Sequence, residues 1–479
     1  MPRATKIVAT LGPASSSAEV LERLIVAGVD VVRMNFSHGT PEDHINRAKL
    51  VRELAARHGR TVGILADLQG PKIRVGKFAD NKIMLKVGDK FILDAKCELG
   101  NQERVGIDYK ELPRDVKRGD YLLLNDGFLV FEVENVKGNE IFCLVRQGGV
   151  LSNNKGINRK GGGLTAPPLT AKDMEDIKTA AGINADFLAV SFPKSGADMY
   201  MARELMRAAG GNALLIAKIE RTEAVTNEAL ADIMKACDGI MVARGDLAVE
   251  VGDAAVPALQ KRMIRMAREM NKLTITATQM MESMVSSPIP TRAEVSDVAN
   301  AVLDGTDAVM LSAESASGQY PVETVEAMVR ICREAEKSAE VKLDHDFLDR
   351  VFTRVDQSIA MGALFTAHHL NVKCIASLTQ SGSTALWMSR LNLGVPIYAL
   401  TPEAATLTKC VLMRDVRPFT LAYEGHDREK LLFEAEEVLL TNNVVEMGDI
   451  VVLTMGEPIG QSGGTNTLKI IRIGEHRKS

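Results

Sequence analysis

One rhythm constrains this chain more than anything else in it. Short apolar runs alternate with helical patterns, and successive runs recur every ~25–35 residues, the length of one βα unit. The runs are Lys6–Leu11, Val31–Phe36, Val62–Ala66, Phe187–Phe192, Leu214–Glu220, Gly239–Arg244, Leu273–Thr278 and Ala308–Ala313, eight in all. Helical patterns at Ser17–Ala27 and Pro41–His58 separate the first three. Near-continuous apolar strands joined by helices belong to a parallel sheet. Eight units in a row predict a (β/α)8 barrel, and an open doubly wound sheet is the alternative that the same alternation allows.

The rhythm breaks once. Between about Pro71 and Gly163 the chain is β-rich, with strands expected at Phe91–Asp94, Tyr121–Leu124, Leu129–Val136 and Glu140–Val145. Turns such as Asn125-Asp126-Gly127 and Lys137-Gly138-Asn139 join them. Gly148–Gly163, rich in Gly, Asn and Lys, leads out, and the whole segment reads as an inserted all-β domain on a hinge. Near Leu343 a further α/β unit begins. Its helices are expected at Gln357–Leu370, Thr384–Leu391, Ala404–Leu412 and Arg428–Asn442, and its strands at Cys374–Leu378, Pro396–Leu400, Ile450–Met455 and Leu468–Ile473. The expected division is a barrel over 1–70 and 166–342, an inserted β domain over 71–165, and an α/β domain over 343–479. A length of 479 residues suits such a division at ~100–200 residues per domain.

Several functions are disfavoured. The net charge of -4 gives no global field for nucleic acid or an anionic membrane. No run of ~18 apolar residues predicts a membrane span, and the opening MPRATKIVATLGPASSS lacks an apolar signal core. The six cysteines are scattered without a CxxC pair, as expected of reduced thiols in a cytoplasmic protein. There is no HExxH and no GxxxxGK[ST]. The one GxSxG match, Gly460–Gly464, falls between two strand-like runs, where a nucleophile elbow needs a strand-to-helix turn.

In a barrel the chemistry sits at the C-terminal ends of the strands. Six of the eight runs end in polar groups: Arg33, Asn35, Ser37 and His38 on the second, Asp67 on the third, Lys218 and Glu220 on the fifth, Asp246 after the sixth, Thr278 on the seventh, Ser312 and Glu314 on the eighth. Period-two geometry sends Lys218 and Glu220 to the same side. A structural ion network is one reading. An anionic substrate with a divalent metal explains more: Glu220 and Asp246 are hard oxygen ligands of the kind Mg2+ takes, and Lys218 is a fixed charge for a phosphoryl group. Gly245 starts a loop or helix whose backbone N–H groups suit a carboxylate. Arg33 fits anion binding or a barrel-end salt bridge equally well. Asn35, Ser37 and Asp67 either cap turns or form an oxygen-rich cation pocket.

The last domain offers Thr379-Gln380-Ser381-Gly382-Ser383-Thr384 between a strand and a helix, where hydroxyls and free N–H groups can hold phosphate. A second Ser/Thr/Gly loop contains Ser462, Gly463 and Thr465. Two such loops in a domain without an obvious catalytic cluster suggest a ligand-sensing module.

The segments MNFSHG (Met34–Gly39), GPKIR (Gly70–Arg74), IAKIERTEAV (Ile216–Val225), GIMVARGDLAVE (Gly239–Glu250), ITATQMM (Ile275–Met281), PTRAEVSDVA (Pro290–Ala299) and DGTDAVMLSAE (Asp304–Glu314) resemble the pyruvate kinase family in order and spacing, over essentially the whole chain. The resemblance implies a (β/α)8 barrel, an inserted β-barrel lid and a C-terminal α/β effector domain. It implies phosphoryl transfer from phosphoenolpyruvate to ADP, the final step of glycolysis, in a cytoplasmic homotetramer. By motif, Arg33 would contact the phosphate, Lys218 would stabilise it in transfer, and Glu220 and Asp246 would hold Mg2+ or Mn2+. Gly245 and Thr278 would hold the carboxylate, with Thr278 and Ser312 in the proton relay. Asn35, His38, Arg74 and Lys155 would face the nucleotide. Asn35, Ser37, Asp67 and Leu68 would form a monovalent-cation pocket. The effector, a sugar phosphate or nucleotide monophosphate, would meet Thr379, Ser381, Gly382, Ser383, Thr384, Ser462, Gly463 and Thr465.

Two departures stand out. Where K+-dependent members carry Glu, this chain has Lys72, whose ammonium can take the charge role of K+. Where the family often has a nucleotide-facing Lys after the strand-four SF motif, this chain has Ser195, with Lys194 one residue earlier. A Mg2+-dependent lyase on pyruvate-like substrates and a catalytically dead sugar-phosphate sensor are the competing readings. The intact set Arg33, Lys218, Glu220, Asp246 and Thr278 speaks against the sensor.

Overall fold

The structure is a computed structural model, and it describes residues 2–338, 351–391, 394–422, 427–460 and 463–475. Eight parallel strands close into a barrel: Lys6–Leu11, Val31–Asn35, Gly63–Asp67, Phe187–Val190, Leu214–Ile219, Gly239–Ala243, Leu273–Ala277 and Ala308–Leu311. Each adjoins its sequence neighbour, and the first pairs with the last, Lys6 opposite Ala308. The closed ring rules out the open sheet. Every expected run became a strand, though most stop one or two residues early. The polar residues at the ends, such as Glu220, Arg244 and Thr278, therefore stand above the barrel wall rather than in it, Arg244 as the first residue of helix Arg244–Val251.

The intervening helices begin where side chains can satisfy the free N–H groups of a first turn. Thr40 with Asp43, Thr170 with Asp173 and Thr291 with Glu294 each form a reciprocal capping box. The outward faces of the strands pack on these helices, with Ile7, Val32, Ile64, Leu188 and Val242 fully buried. The inward faces form a second cluster, including Val8, Leu65, Phe187, Ile216, Met241 and Met310. That cluster continues into Leu364, Met388, Leu412 and Met413, so the C-terminal region is packed against the barrel through shared apolar surface.

The inserted segment forms a seven-stranded sheet with its own core around Phe91, Phe131 and Val145. The four expected strands are present, and Gly148–Gly163, the stretch expected to lead out, holds two more. It contains strands Gly149–Ser152 and Gly156–Arg159, which pair with Lys82–Leu85 and with Ile73–Arg74. Val150 is largely exposed and the strands are short, so no strong apolar alternation announces them. The C-terminal sheet also has a strand that the pattern missed, Val416–Thr420, at its edge. Pro418 inside it disguises it, as proline is tolerated in a strand at an edge. Strand Thr465–Arg472 closes the other edge antiparallel. The expected junction at 342/343 lies outside the described residues. All six cysteines are unpaired. Among the described residues no helix is long and apolar enough to cross a membrane.

Candidate active site

At the C-terminal mouth of the barrel one ammonium organises three strands. Lys218 Nζ lies 3.0 Å from Glu220 Oε1 and 3.3 Å from Asp67 Oδ1, and it donates to Ser191 Oγ at 2.7 Å. Lys218 and Glu220 thus meet as the two-residue strand period requires. Asp67 also accepts from Arg33 Nε at 2.6 Å, while Arg33 Nη1 donates to Thr10 Oγ1 at 3.0 Å. Asp67 and Glu220 are 1% exposed, and Lys218 and Arg33 12%.

These contacts set the charges. Burial works against the Lys218 ammonium, but Asp67 and Glu220 outweigh it and hold its pKa above the ordinary lysine value. Burial likewise opposes ionised Asp67, and Lys218 and Arg33 reverse the sign, so its pKa is lowered. For Glu220 burial wins. Its pKa is raised despite Lys218, and the nearby charge of Asp246 adds to the rise. Two carboxylates that repel one another in a buried mouth, with ammonium groups against them, are a donor set that a divalent cation would relieve. Among the described residues no three His, Cys, Asp or Glu side chains converge on one point. A divalent cation here would draw on the pair Glu220 and Asp246, with waters and substrate oxygens completing its shell.

The two strand ends without a sequence candidate supply partners after all. Thr10 on the first strand holds Arg33, and Ser191 beyond the fourth holds Lys218. Ser191 Oγ in turn donates to the Leu68 carbonyl at 2.8 Å. Ser191 was readable as the first polar residue after the apolar run Phe187–Val190, the same signal that marked the other ends. Gly70, beside it, has φ +67, and a Cβ there would lie 2.7 Å from that of Ser191, so the exit from the third strand requires glycine.

Beyond the seventh strand, Thr278 and Gln279 both adopt left-handed backbone, φ 65 and 54. For a β-branched residue this is strain of the kind that collects at functional sites. It turns Thr278 Oγ1 to accept from Gly245 N at 2.8 Å and to donate to Ala277 O at 2.7 Å. Arg244 braces the turn, donating to Thr278 O at 2.7 Å and to Asp297 at 2.7 Å. The Gly245 N–H expected to face a carboxylate is thus on the Thr278 hydroxyl. The Ser312 hydroxyl oxygen is buried and without a partner among the described residues, and Glu314 ties its backbone to Met281.

The remaining expected residues divide into groups. Asn35 Oδ1 accepts from Ser37 N at 3.0 Å and so caps its own turn. His38 is exposed, and its carbonyl accepts from His44. Arg74 and Lys155 belong to the inserted domain, where Ile73–Arg74 pairs with Gly156–Ile157. Lys72 bonds Asp246 Oδ1 at 2.9 Å. Lys194 donates to the Leu164 and Ala166 carbonyls, which makes it an anchor for the returning chain.

In the C-terminal region a cavity of about 140 Å³ is lined by Thr379, Gln380, Ser383, Gly463 and Thr465 among others. Its two loops are joined by the buried pair Thr384 Oγ1 and Thr465 Oγ1 at 2.7 Å. Gly382, in left-handed conformation, opens the helix, and Ser381 Oγ donates to Ser383 Oγ. Ser462 lies outside the described residues.

A buried acid links the mouth to the inserted domain. Glu250 accepts from Thr222 N at 2.9 Å and meets the Asn158 side chain. Burial pushes its pKa from 4.5 up to about 7; the Thr222 N–H, Arg221 and Asn158 pull it down, and Glu223 adds to the rise. The folded chain therefore holds this proton more tightly than the unfolded chain. The associated stability is present below about pH 4.5 and is lost as pH rises toward and past 7. Glu250→Gln should match the parent in unfolding free energy near pH 4 and exceed it increasingly by pH 8, by at most about 3 kcal/mol. A gap that stays constant with pH would remove Glu250 as the cause.

The family comparisons agree with this architecture. A family model described as "Pyruvate kinase, barrel domain" matches residues 2–325, and one described as "Pyruvate kinase, alpha/beta domain" matches 357–471. Pyruvate kinase II of Salmonella typhimurium is 53% identical over 477 residues, spanning 98% of this chain and 99% of the relative. The pyruvate kinase of Haemophilus influenzae is 54% identical over 471 residues, 97% of each chain. That of Corynebacterium glutamicum is 42% identical over 475 residues, 99% of this chain and 98% of its own. With the closed barrel, the inserted sheet and the C-terminal α/β fold already in place, these matches establish that the chain belongs to the pyruvate kinase family and is a phosphotransferase.

Proposed function

We propose that the barrel mouth transfers the phosphoryl group of phosphoenolpyruvate to ADP and then protonates the enolate to pyruvate. One observation carries the reading: the Lys218 ammonium is fixed between Asp67 and Glu220 at the strand ends. Phosphoryl transfer is mostly positioning and charge neutralisation, and a preorganised cation in a water-poor mouth supplies both. Arg33 would bind the transferring phosphate and Lys218 would stabilise it in transfer. Glu220 and Asp246 would hold Mg2+ or Mn2+, which supplies charge neutralisation when bound. Gly245 and Thr278 would orient the carboxylate end, and Thr278 with Ser312 would deliver the proton. Asn35, His38, Arg74 and Lys155 would face ADP.

In this reading residues 1–70 and 166–342 are the catalytic unit, 71–165 the lid, and 343–479 the effector unit. A sugar phosphate or nucleotide monophosphate would bind between the Thr379–Thr384 loop and the Gly463–Thr465 loop. Activation would pass through the subunit contacts of a cytoplasmic homotetramer.

The Lys72 charge replaces K+ in this proposal, even though Asn35, Ser37, Asp67 and Leu68 are retained. Pyruvate should form from phosphoenolpyruvate and ADP with Mg2+ in buffer free of K+ and NH4+, and Lys72→Glu should acquire a K+ requirement. A parent enzyme that stays silent until K+ is added refutes the role given to Lys72. Silence under both conditions, with sugar phosphates supplied, refutes the phosphoryl-transfer assignment of the mouth.

A further inference from the structure

Lys72 stands one residue before the first strand of the inserted sheet, Ile73–Arg74. Its ammonium reaches out of that domain and bonds a barrel carboxylate, Asp246 Oδ1, at 2.9 Å. The pair is mostly buried, with the side chains 26% and 22% exposed. The path of the lysine is built for this reach. Its Cε passes 3.2 Å from where a Cβ on Gly156 would stand, so a side chain there would make the lysine give by a few tenths of an ångström. Asp126, in a turn of the inserted domain, and Glu220 also lie within the field of the ammonium. Lys218 on Glu220 and Lys72 on Asp246 thus give each carboxylate of the pair its own ammonium. They differ in origin. Lys218 rises from the barrel wall beside its partner, whereas Lys72 comes from another domain, 174 residues away in sequence from Asp246.

We propose that Lys72 is an internal counter-ion that holds the root of the inserted domain on Asp246 and is displaced when a divalent cation takes that carboxylate. The inference rests on the reading of Glu220 and Asp246 as the metal pair. The ammonium on Oδ1 and a divalent ion on either oxygen of the same carboxylate share one negative charge and repel each other, so the two cations compete for Asp246. The consequence is coupling by linkage: metal binding releases the contact between the domains, and holding that contact weakens metal binding by the same factor. Lys72 acts here as a positioning residue.

The test uses the full-length chain without substrates. Mn2+ binding is measured directly, from the paramagnetic resonance signal of the free ion, for the parent, Lys72→Met and Asp246→Asn. Hydrogen exchange of the amides from Ile73 to Val75 reports the domain root with and without saturating Mn2+. Lys72→Met is expected to bind Mn2+ about 3- to 30-fold more tightly. In the parent, Mn2+ should speed exchange at the root. In Lys72→Met that exchange should already be fast and indifferent to Mn2+. Unchanged or weaker Mn2+ binding by Lys72→Met overturns the competition. Tighter binding with a parent root that ignores Mn2+ reduces Lys72 to simple charge repulsion and overturns the coupling. Full Mn2+ affinity in Asp246→Asn overturns the metal-pair reading itself.

Discussion

Lys218→Met is expected to reduce kcat about 10²–10³-fold, the loss typical of one preorganised charge or donor aimed at the transition state. The fall should appear in kcat more than in KM, because the ammonium is expected to act on charge as it is transferred. A second effect accompanies it. Asp67 and Glu220 are 1% exposed, and Lys218 lies against both. Removing one partner of a buried charge cluster leaves the others without compensation, a loss of roughly 3–5 kcal/mol where no other cation remains. Arg33 stays on Asp67, so the burden falls on Glu220, whose pKa already lies above its usual value. Activity should be measured at a temperature where circular dichroism shows the variant folded. A folded Lys218→Met enzyme within tenfold of the parent kcat would take Lys218 out of the transfer step.

The largest loss of stability is expected from Asp307→Asn. Asp307 sits at the base of the barrel with its side chain 1% exposed, opposite Arg390, which is equally buried. Arg390 Nη1 donates to Asp307 Oδ2 at 2.9 Å, and its Nη2 donates to Oδ1. The same carboxylate accepts from Thr274 N and from Arg414 N, both at 2.9 Å. One carboxylate therefore ties the seventh barrel strand to two C-terminal arginine residues. An amide of the same shape keeps the packing, loses the charge and turns N–H toward donors. The expected loss is roughly 3–5 kcal/mol, read from urea unfolding. Asp307→Leu with Arg390→Met should recover part of it, since an apolar pair leaves no charge stranded. A loss below about 1 kcal/mol for Asp307→Asn would show that the charge itself carries little of the docking.

The order and type of the barrel strands follow from the sequence because they depend on local physics. Runs such as Leu214–Ile219 are apolar on both faces, and caps such as Thr170 with Asp173 lie three residues apart. The polar groups at the strand ends were legible for the same reason, as breaks in an apolar run. That Lys218 and Glu220 point to one side follows from the strand period carried one residue past the strand. The short strands Gly149–Ser152, Gly156–Arg159 and Val416–Thr420 were not legible. Gly149–Ser152 and Val416–Thr420 lie at sheet edges, Gly156–Arg159 is only four residues long, and each is held by pairing with distant partners rather than by its own pattern.

The tertiary structure decided which acceptors a long side chain reaches beyond its own strand. Lys72 meets Asp246 across 174 residues, and Lys218 meets Ser191 across 27. Lys194, one position from where a nucleotide contact was sought, binds the returning linker instead. A lysine has four rotatable bonds in its side chain and reaches several acceptors from one backbone position. Closing the barrel and seating the inserted domain select among them, so the sequence by itself determined the barrel and the residues at its mouth, and the packing of one domain on another determined how those residues are paired.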